Sequence, residues 1–377
     1  MARMTTWNAS MARPSSTPLT PRGTGTIQGS MHSQLVHLLD ALLTTHSPGG
    51  CEGEIDAVIG KHLDGLPGRT EKDPFGNILH AVAGKEGGPL TVVAAHKDEL
   101  FAMVRKVDPD GKLWLENLNR PTSMMKYGEG PFDLLTASGI LEGVLSIGSV
   151  HTSDLSPRVH KAKSEALTWD MVYLDCKMDA EALAARGAGI GDRALIGRRR
   201  KAPLYLGDGY VGGYALDDKA GVAALLLLAR ALAERPPAHD VCLAFTSAEE
   251  TGAVGASFLN GRLRPSLFVA LDVAPVADEY PIRMGPQPVV IHKDGVHCYS
   301  LEASRALERA GVDAGLRLQQ AVLRSFGSDA SIGFKAGLLP AAACLAFPTE
   351  NTHGYEVAPL EAISNCAVVL EEFLKKR

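Results

Sequence analysis

From residue 33 onward the apolar positions repeat with a helical period. Leu35, Leu38, Leu39 and Leu42 share one face, and "SPGG" at 47–50 ends the run. Ile55, Val58, Ile59 and Leu63 predict a second helix over roughly 52–64. The stretch "PFGNILHAVAGKEGGPLTVVAAH" at 74–96 reads as strand, glycine-rich turn and strand. Near residue 101 the pattern changes. "FAMVRKVDPDGKLWLENL" predicts a hairpin about a Pro-Asp-Gly turn, and "ILEGVLSIGSVH", "TWDMVYLDC" and "RALIGRR" predict further short strands. "DAEALAARGAG" reads as a small helix ended by glycine. Residues 103–205 are therefore expected to form a compact, strand-rich module.

From about residue 214 helices and strands alternate: helix 219–233, strand 241–245, helix 252–259, strand 267–271, helix 300–311, strand 320–324, helix 329–336, strand 341–346 and helix 359–375. Such alternation implies an α/β fold with helices on both faces of a sheet. The strand-rich module is then an insertion. It divides the chain into a first α/β part at 31–102, an inserted small β-rich domain at 103–205 and a second α/β part at 206–377.

Composition narrows the function. The chain has 377 residues, 45% hydrophobic and 21% charged, which suits one large globular domain or two ordinary ones. A net charge of -5 leaves no overall basic surface and argues against nucleic acid as a partner. The longest apolar run, 220–233, is too short for a membrane span and carries Arg230. The six cysteines are scattered, with no CxxC pair, so neither a disulfide framework nor a structural zinc knuckle is expected. That points to a reducing, cytoplasmic compartment. Residues 1–30 hold no Asp or Glu and are rich in Ser, Thr, Pro, Gly and Arg, reading as a disordered tail or as an extension upstream of a start at Met31.

Chemistry gathers just past the strand ends. "LTVVAAHKDE" delivers His96 and Asp98, "VCLAFTSAEE" delivers Glu249 and Glu250, and "SLFVALDVAP" delivers Asp272. "AACLAFPTENTHGYE" delivers His353, and "GGYALDDKAG" puts Asp217 and Asp218 before an apolar helix. Sites in open α/β sheets assemble beyond the carboxyl ends of the strands. Imidazoles mixed with carboxylates, without cysteine, suit zinc, cobalt or manganese. The ligand candidates outnumber what one catalytic zinc needs, which suits two metals about 3.5–4 Å apart sharing a carboxylate. One of the adjacent glutamates would then bind metal while the other takes a proton from water. Each piece alone has an ordinary reading: a surface His–Asp pair, a helix N-cap, a solvated Glu-Glu loop, a turn-starting aspartate, a loop histidine. Together, at the ends of strands in one sheet, they are hard to assign to coincidence.

These residues lie in blocks that resemble the tetrahedral-assembly metallo-aminopeptidases, the glutamyl, leucyl and deblocking enzymes of the co-catalytic dizinc fold. The blocks are "AAHKDELFAMV", "YALDDKAGVAALL", "FTSAEETGAVGA", "VALDVAP" and "FGSDASIGFKAGLLPAAACLAFPTENTHGYEV", and the likeness spans nearly all of 33–377. The resemblance implies a mixed sheet sandwiched by helices, with the 103–205 insertion as a dimerisation domain and a homo-oligomer between a dimer and a dodecamer. It implies Asp217 bridging two divalent metal ions, His96 and Asp272 completing one site, and Glu250 and His353 the other. Glu249 would be the general base, and Asp98 would orient His96. The bond between Asp217 and Asp218 would be cis. Two positions depart from the family. Lys97 stands where a methionine-like residue is usual and, as the alternate residue, should face away from the metals. "HGYE" replaces "SPVE" after the last histidine, in a region that lines the substrate pocket.

The implied reaction is hydrolysis of the N-terminal residue from short peptides. An N-acyl amino acid deacylase could use the same two metals, and a non-catalytic binding protein of this fold is the reading from another class. The intact ligand set argues against the latter. Sugar cleavage finds no support, since no carboxylate pair flanks an aromatic-rich groove.

Overall fold

Residues 25–118, 124–207 and 209–377 are described in a computed structural model of the chain. The expected tail at 1–30 lies outside the described residues up to residue 24, and helix α1 (Gly25–Leu43) begins at Gly25. Helix α2 (Gly53–Leu63) follows, then strands β1 (Arg69–Lys72), β2 (Ile78–Val82) and β3 (Thr91–His96). Leu35, Leu38, Leu39 and Leu42 of α1 and Ile55, Ile59 and Leu63 of α2 are buried, as their spacing predicts.

The chain then leaves the α/β body for a closed barrel. Its strands are β4 (Ala102–Val107), β5 (Lys112–Asn117), β6 (Gly130–Thr136), β7 (Gly139–Ser146), β8 (Tyr173–Asp175) and β9 (Arg193–Ile196), in the order β4-β5-β8-β7-β6-β9. Short helices α3 (Met124–Tyr127), α4 (Pro157–Lys161) and α5 (Ala180–Ala185) sit in its connections. The barrel has its own core, with Val104, Leu113, Leu115, Phe132, Leu134, Leu145 and Leu174 at its centre. The inserted β-rich domain expected from the sequence is thus a barrel, and closure removes its sheet edges.

The return to the α/β body runs through β10 (Leu204–Leu206) and β11 (Tyr210–Tyr214) into α6 (Leu216–Glu234). Strand β12 (Val241–Thr246), helix α7 (Val254–Leu263), strands β13 (Leu267–Pro275) and β14 (Val289–Lys293), helix α8 (Leu301–Asp313) and strand β15 (Gln319–Val322) come next. Helix α9 (Asp329–Lys335), strands β16 (Ala342–Thr349) and β17 (Tyr355–Pro359) and helix α10 (Leu360–Leu374) end the chain. The main sheet has the order β1-β2-β12-β3-β13-β16-β14-β15, and β10-β11-β17 form a small second sheet.

Alternation along the central strands explains the sandwich. Val93 and Ala95 of β3, Leu243 and Phe245 of β12, Val269 and Leu271 of β13, and Leu345 and Phe347 of β16 face the helices α1, α6, α8 and α10. Their neighbours Ala94, Ala244, Ala270, Ala342, Cys344 and Ala346 face α7 and α9. Small residues on that side let those two helices sit close to the sheet. Strands β3, β12, β13 and β16 are mutually parallel, with His96 opposite Thr246 and Asp272 opposite Ala346. Their carboxyl ends therefore open on one edge.

Candidate active site

The parallel strands bring His96, Asp217, Glu249, Glu250, Asp272 and His353 to a single cleft of about 580 Å³. His96 ends β3, Asp272 lies within β13, and the two glutamates follow β12. Asp217 opens α6, and His353 precedes β17. Two sets of donor atoms meet there, His96 with Asp217 and Asp272, and Asp217 with Glu250 and His353; within each set the atoms lie within 4.8 Å of one another. Asp217 is common to both.

The start of α6 is irregular where the site needs it. Regular helix begins only at Lys219, because Asp217 (φ -76°, ψ 103°) and Asp218 (φ -120°, ψ 32°) depart from helical angles and the peptide between them is cis. Neither aspartate caps the helix; the N-cap is Ala215, without a side-chain bond. Asp217 instead turns to His96, whose Nε2 lies 2.9 Å from its Oδ1, and Oδ2 lies 3.6 Å from the Nε2 of His353. Asp218 folds back, and its Oδ2 accepts the His96 backbone N–H at 3.2 Å. Only glycine fits beside it: a Cβ at Gly221 would stand 2.1 Å from the Asp218 Oδ1 and 2.6 Å from its Cγ. Gly221→Ala should therefore destabilise the fold by roughly 1–3 kcal/mol through overpacking, read from the urea midpoint. An unchanged midpoint would mean that the Asp218 carboxylate moves aside freely.

The glutamate pair is held by its backbone. Ala248 (φ 58°) and Ala253 (φ 53°) adopt left-handed angles on either side of it. The Glu249 and Glu250 N–H groups donate to the two oxygens of the Asp98 carboxylate at 2.9 and 3.1 Å. Asn77 steadies the base of the same turn by accepting the Ser247 N–H at 2.9 Å. The fully buried Asp98 carboxylate thus serves the glutamate turn. Its Oδ1 is 3.7 Å from the Nδ1 of His96, which sits nearer the Asp98 carbonyl at 3.3 Å. Neighbouring Lys97 faces away from the cleft, as its alternation predicts, and reaches Asp56 of α2 and the Gly76 carbonyl.

Glu356 also belongs to the site, outside the residues that the sequence pattern marks. One of its oxygens accepts the Asp217 N–H and the other the His353 N–H, each at 2.9 Å. It ties the helix start to the histidine loop, where His353 itself is held at φ 58°. Its signal was the Glu that closes "HGYE". Asp329, at the start of α9, is a second: buried, it accepts the Thr246 hydroxyl at 2.5 Å.

The electrostatics show a shortage of positive charge. Burial, reinforced by neighbouring carboxylates, pushes Asp218, Glu249, Glu250 and Asp272 well above the usual carboxylate range. Burial likewise raises Asp329 to about 6, and burial with the nearby Asp217 charge raises Glu356 to about 8. Burial opposes the Asp217 anion too, but its bond to His96 and the charge there outweigh it, so Asp217 is lowered. Burial opposes protonation of His96, yet Asp217 and Glu249 win and raise it well above an ordinary imidazole. So many buried acids can all ionise only if further cations join them. Two divalent ions, one in each triad with Asp217 between them, fit this donor set of imidazole and carboxylate.

A model of the M42 glutamyl aminopeptidase family matches residues 76–369. The glutamyl aminopeptidase of Lactococcus lactis is 25% identical over 252 residues, covering 66% of this chain and 68% of that protein. Among solved structures, an aminopeptidase from the archaeon Desulfurococcus kamchatkensis superposes with a TM-score of 0.82 at 21% identity, covering 92% of this chain and 96% of the other. The TET1 peptidase of Pyrococcus horikoshii superposes with a TM-score of 0.80 at 23% identity, covering 91% and 100%.

Proposed function

The chain belongs to the M42 glutamyl aminopeptidase family, and from that premise we propose that it removes N-terminal residues from short peptides at a two-metal centre with Glu249 as the base. The observation that carries this reading is the pair of donor triads sharing Asp217, with Glu249 beside them and its Oε2 4.0 Å from the Nε2 of His96. His96, Asp217 and Asp272 would hold one ion, and Asp217, Glu250 and His353 the other. Zinc is the first choice for this ligand set, with cobalt or manganese as substitutes. When bound, the ions supply Lewis-acid chemistry, polarising the scissile carbonyl and acidifying water.

The protein's own groups do the rest. Glu249 takes the proton from the attacking water and delivers it to the leaving amine. Its carboxylate lines the cleft beside both donor triads without belonging to either, which leaves it able to carry a proton between those two partners. Asp98 holds its backbone, so that the carboxylate meets the cleft in one orientation. With both ions held, a free α-amino group could ligate one of them through its nitrogen lone pair, which an acylated nitrogen could not, and this favours free N-terminal ends.

The barrel fits a role in self-association. The TET1 peptidase of Pyrococcus horikoshii can assemble into a tetrahedron or a large octahedral shell. Strand β7 here exposes Ile140 and Val144 on the barrel surface. A homo-oligomer built through the 103–205 domain, ahead of the second α/β part at 206–377, is the corresponding expectation. No helix among the described residues is long and apolar enough to cross a membrane. All six cysteines are free, which agrees with a cytoplasmic setting.

Amino-acid release from one peptide set, offered with free and with N-acetylated ends, tests the reading. Zinc-loaded protein should release residues only from free ends and lose that activity on chelation. Release only from acetylated ends would establish a deacylase instead.

A further inference from the structure

Behind the cleft, buried charges gather where the barrel meets the α/β body. The Glu99 carboxylate receives Lys201 Nζ at 2.6 and 2.8 Å, Lys219 Nζ at 3.2 Å and the Ser47 N–H at 2.7 Å. Both lysines have no exposed side-chain surface, and Glu99 is 3% exposed. Lys201 Nζ also donates to the Thr45 carbonyl at 3.1 Å and meets the Nδ1 of His46 at 2.9 Å, while Lys219 donates to the same carbonyl at 2.9 Å. An ammonium has only protons to offer, so the His46 Nδ1 accepts, and its Nε2–H donates to Asp133 of β6 at 2.8 Å. Two cations then face two anions, and the cluster is neutral.

Burial pulls the Lys201 ammonium down to about 7, while the two lysines, overcoming burial, hold Glu99 at about 2. Geometry decides between these: Nζ of Lys201 faces three acceptors and keeps its protons.

The cluster's place in the chain gives it a use. Glu99 follows Asp98, which holds the glutamate turn, and stands three residues past His96. Lys219 follows the Asp217–Asp218 pair. Lys201 comes just after β9, whose Ile196, together with Tyr127, walls a pocket that Asp217 and His353 also line. One carboxylate thus touches the segment bearing His96, the helix bearing Asp217 and the exit of the barrel.

We propose that Glu99 is a positioning residue for the reaction above: clamped between Lys201 and Lys219, it fixes the spacing of His96 and Asp217 and seats the barrel wall against both. The proposal rests on the assignment of those two residues as metal ligands. Lone-pair geometry supports it, because a carboxylate gripped from three directions cannot shift without moving all three segments. Outer partners of a metal site typically contribute about 10–100-fold in affinity or activity.

The test uses the full chain carrying Glu99→Gln with Lys201→Met. That pair keeps the cluster neutral, since Lys219 and Asp133 remain, and exchange of a buried ion pair for neutral groups of similar size need not unfold a protein. The expected result is a wild-type far-ultraviolet dichroism spectrum with zinc affinity, by calorimetric titration, lowered about 10-fold or more. The kcat for peptide release should fall with it, while KM changes less. A purely structural role would lower the thermal midpoint and leave zinc affinity at the wild-type value, and that result would overturn the proposal. Should the pair fail to fold, Glu99→Asp keeps the charge but shortens the reach, and the same titration is read with the same two outcomes. If the wild type released no amino acid from any peptide, the peptidase reading would fail, and zinc affinity would still decide the role of Glu99.

Discussion

Glu249→Gln is expected to retain its metal and lose more than about 10²-fold in turnover. Glutamine keeps the size and hydrogen-bonding shape of the side chain but cannot accept and return a proton at neutral pH. The turn should survive the change, because Asp98 grips the backbone N–H groups of residues 249 and 250 and not their side chains. Zinc affinity is likewise expected to hold, since Glu249 stands outside both donor triads. The loss should therefore fall on kcat, with KM little changed. A variant within a few-fold of wild-type turnover would remove Glu249 from the role of base.

Asp217→Asn should cost more, because one carboxylate serves both triads. The substitution removes the anion common to the two proposed cation sites and places an amide against the Nε2 of His96, which now lies 2.9 Å from a carboxylate oxygen. The local backbone has independent support: the residue 217 N–H donates to Glu356 at 2.9 Å, and that bond does not involve the side chain. Even outer-shell partners of metal ligands are worth about 10–100-fold, so loss of the shared ligand should weaken both sites by at least the upper end of that range. Calorimetric zinc titration of the variant checks this. One site left at wild-type affinity would show that Asp217 belongs to a single ion.

The parts of this molecule that were legible in its sequence share a cause. Leu35, Leu38, Leu39 and Leu42 showed their helix because one face of α1 is buried, and the period follows from that. The ionisable residues showed the cleft because parallel strands place whatever follows them on one edge. Other features had no such local signature. Strand β14 has an apolar core of three residues, Val289–Ile291, too short to display a period, although it is buried on both faces. Strand β17 runs into α10 at Pro359 with no intervening turn, so its residues read as part of the helix approach.

Long-range polar contacts were the least visible. Glu356 matters through a bond to a residue 139 positions earlier, and nothing in "HGYE" names that partner. Lys201 closes the run "RRRK", where nothing in the sequence sets it apart from its three charged neighbours, yet its side chain is wholly buried against Glu99. A single sequence gives the type of each charge but not the fold that pairs it. Lys97 lay between these cases: alternation gave its direction, and only the structure gave Asp56 as its partner.

If Asp217 is shared between two cation sites, the chain should hold two ions. Elemental analysis of zinc-loaded, desalted wild-type protein counts them. The expected result is about two zinc ions per chain, both lost on chelation together with peptide hydrolysis. A chain saturated by about one ion and fully active with it would contradict the shared-carboxylate centre described here.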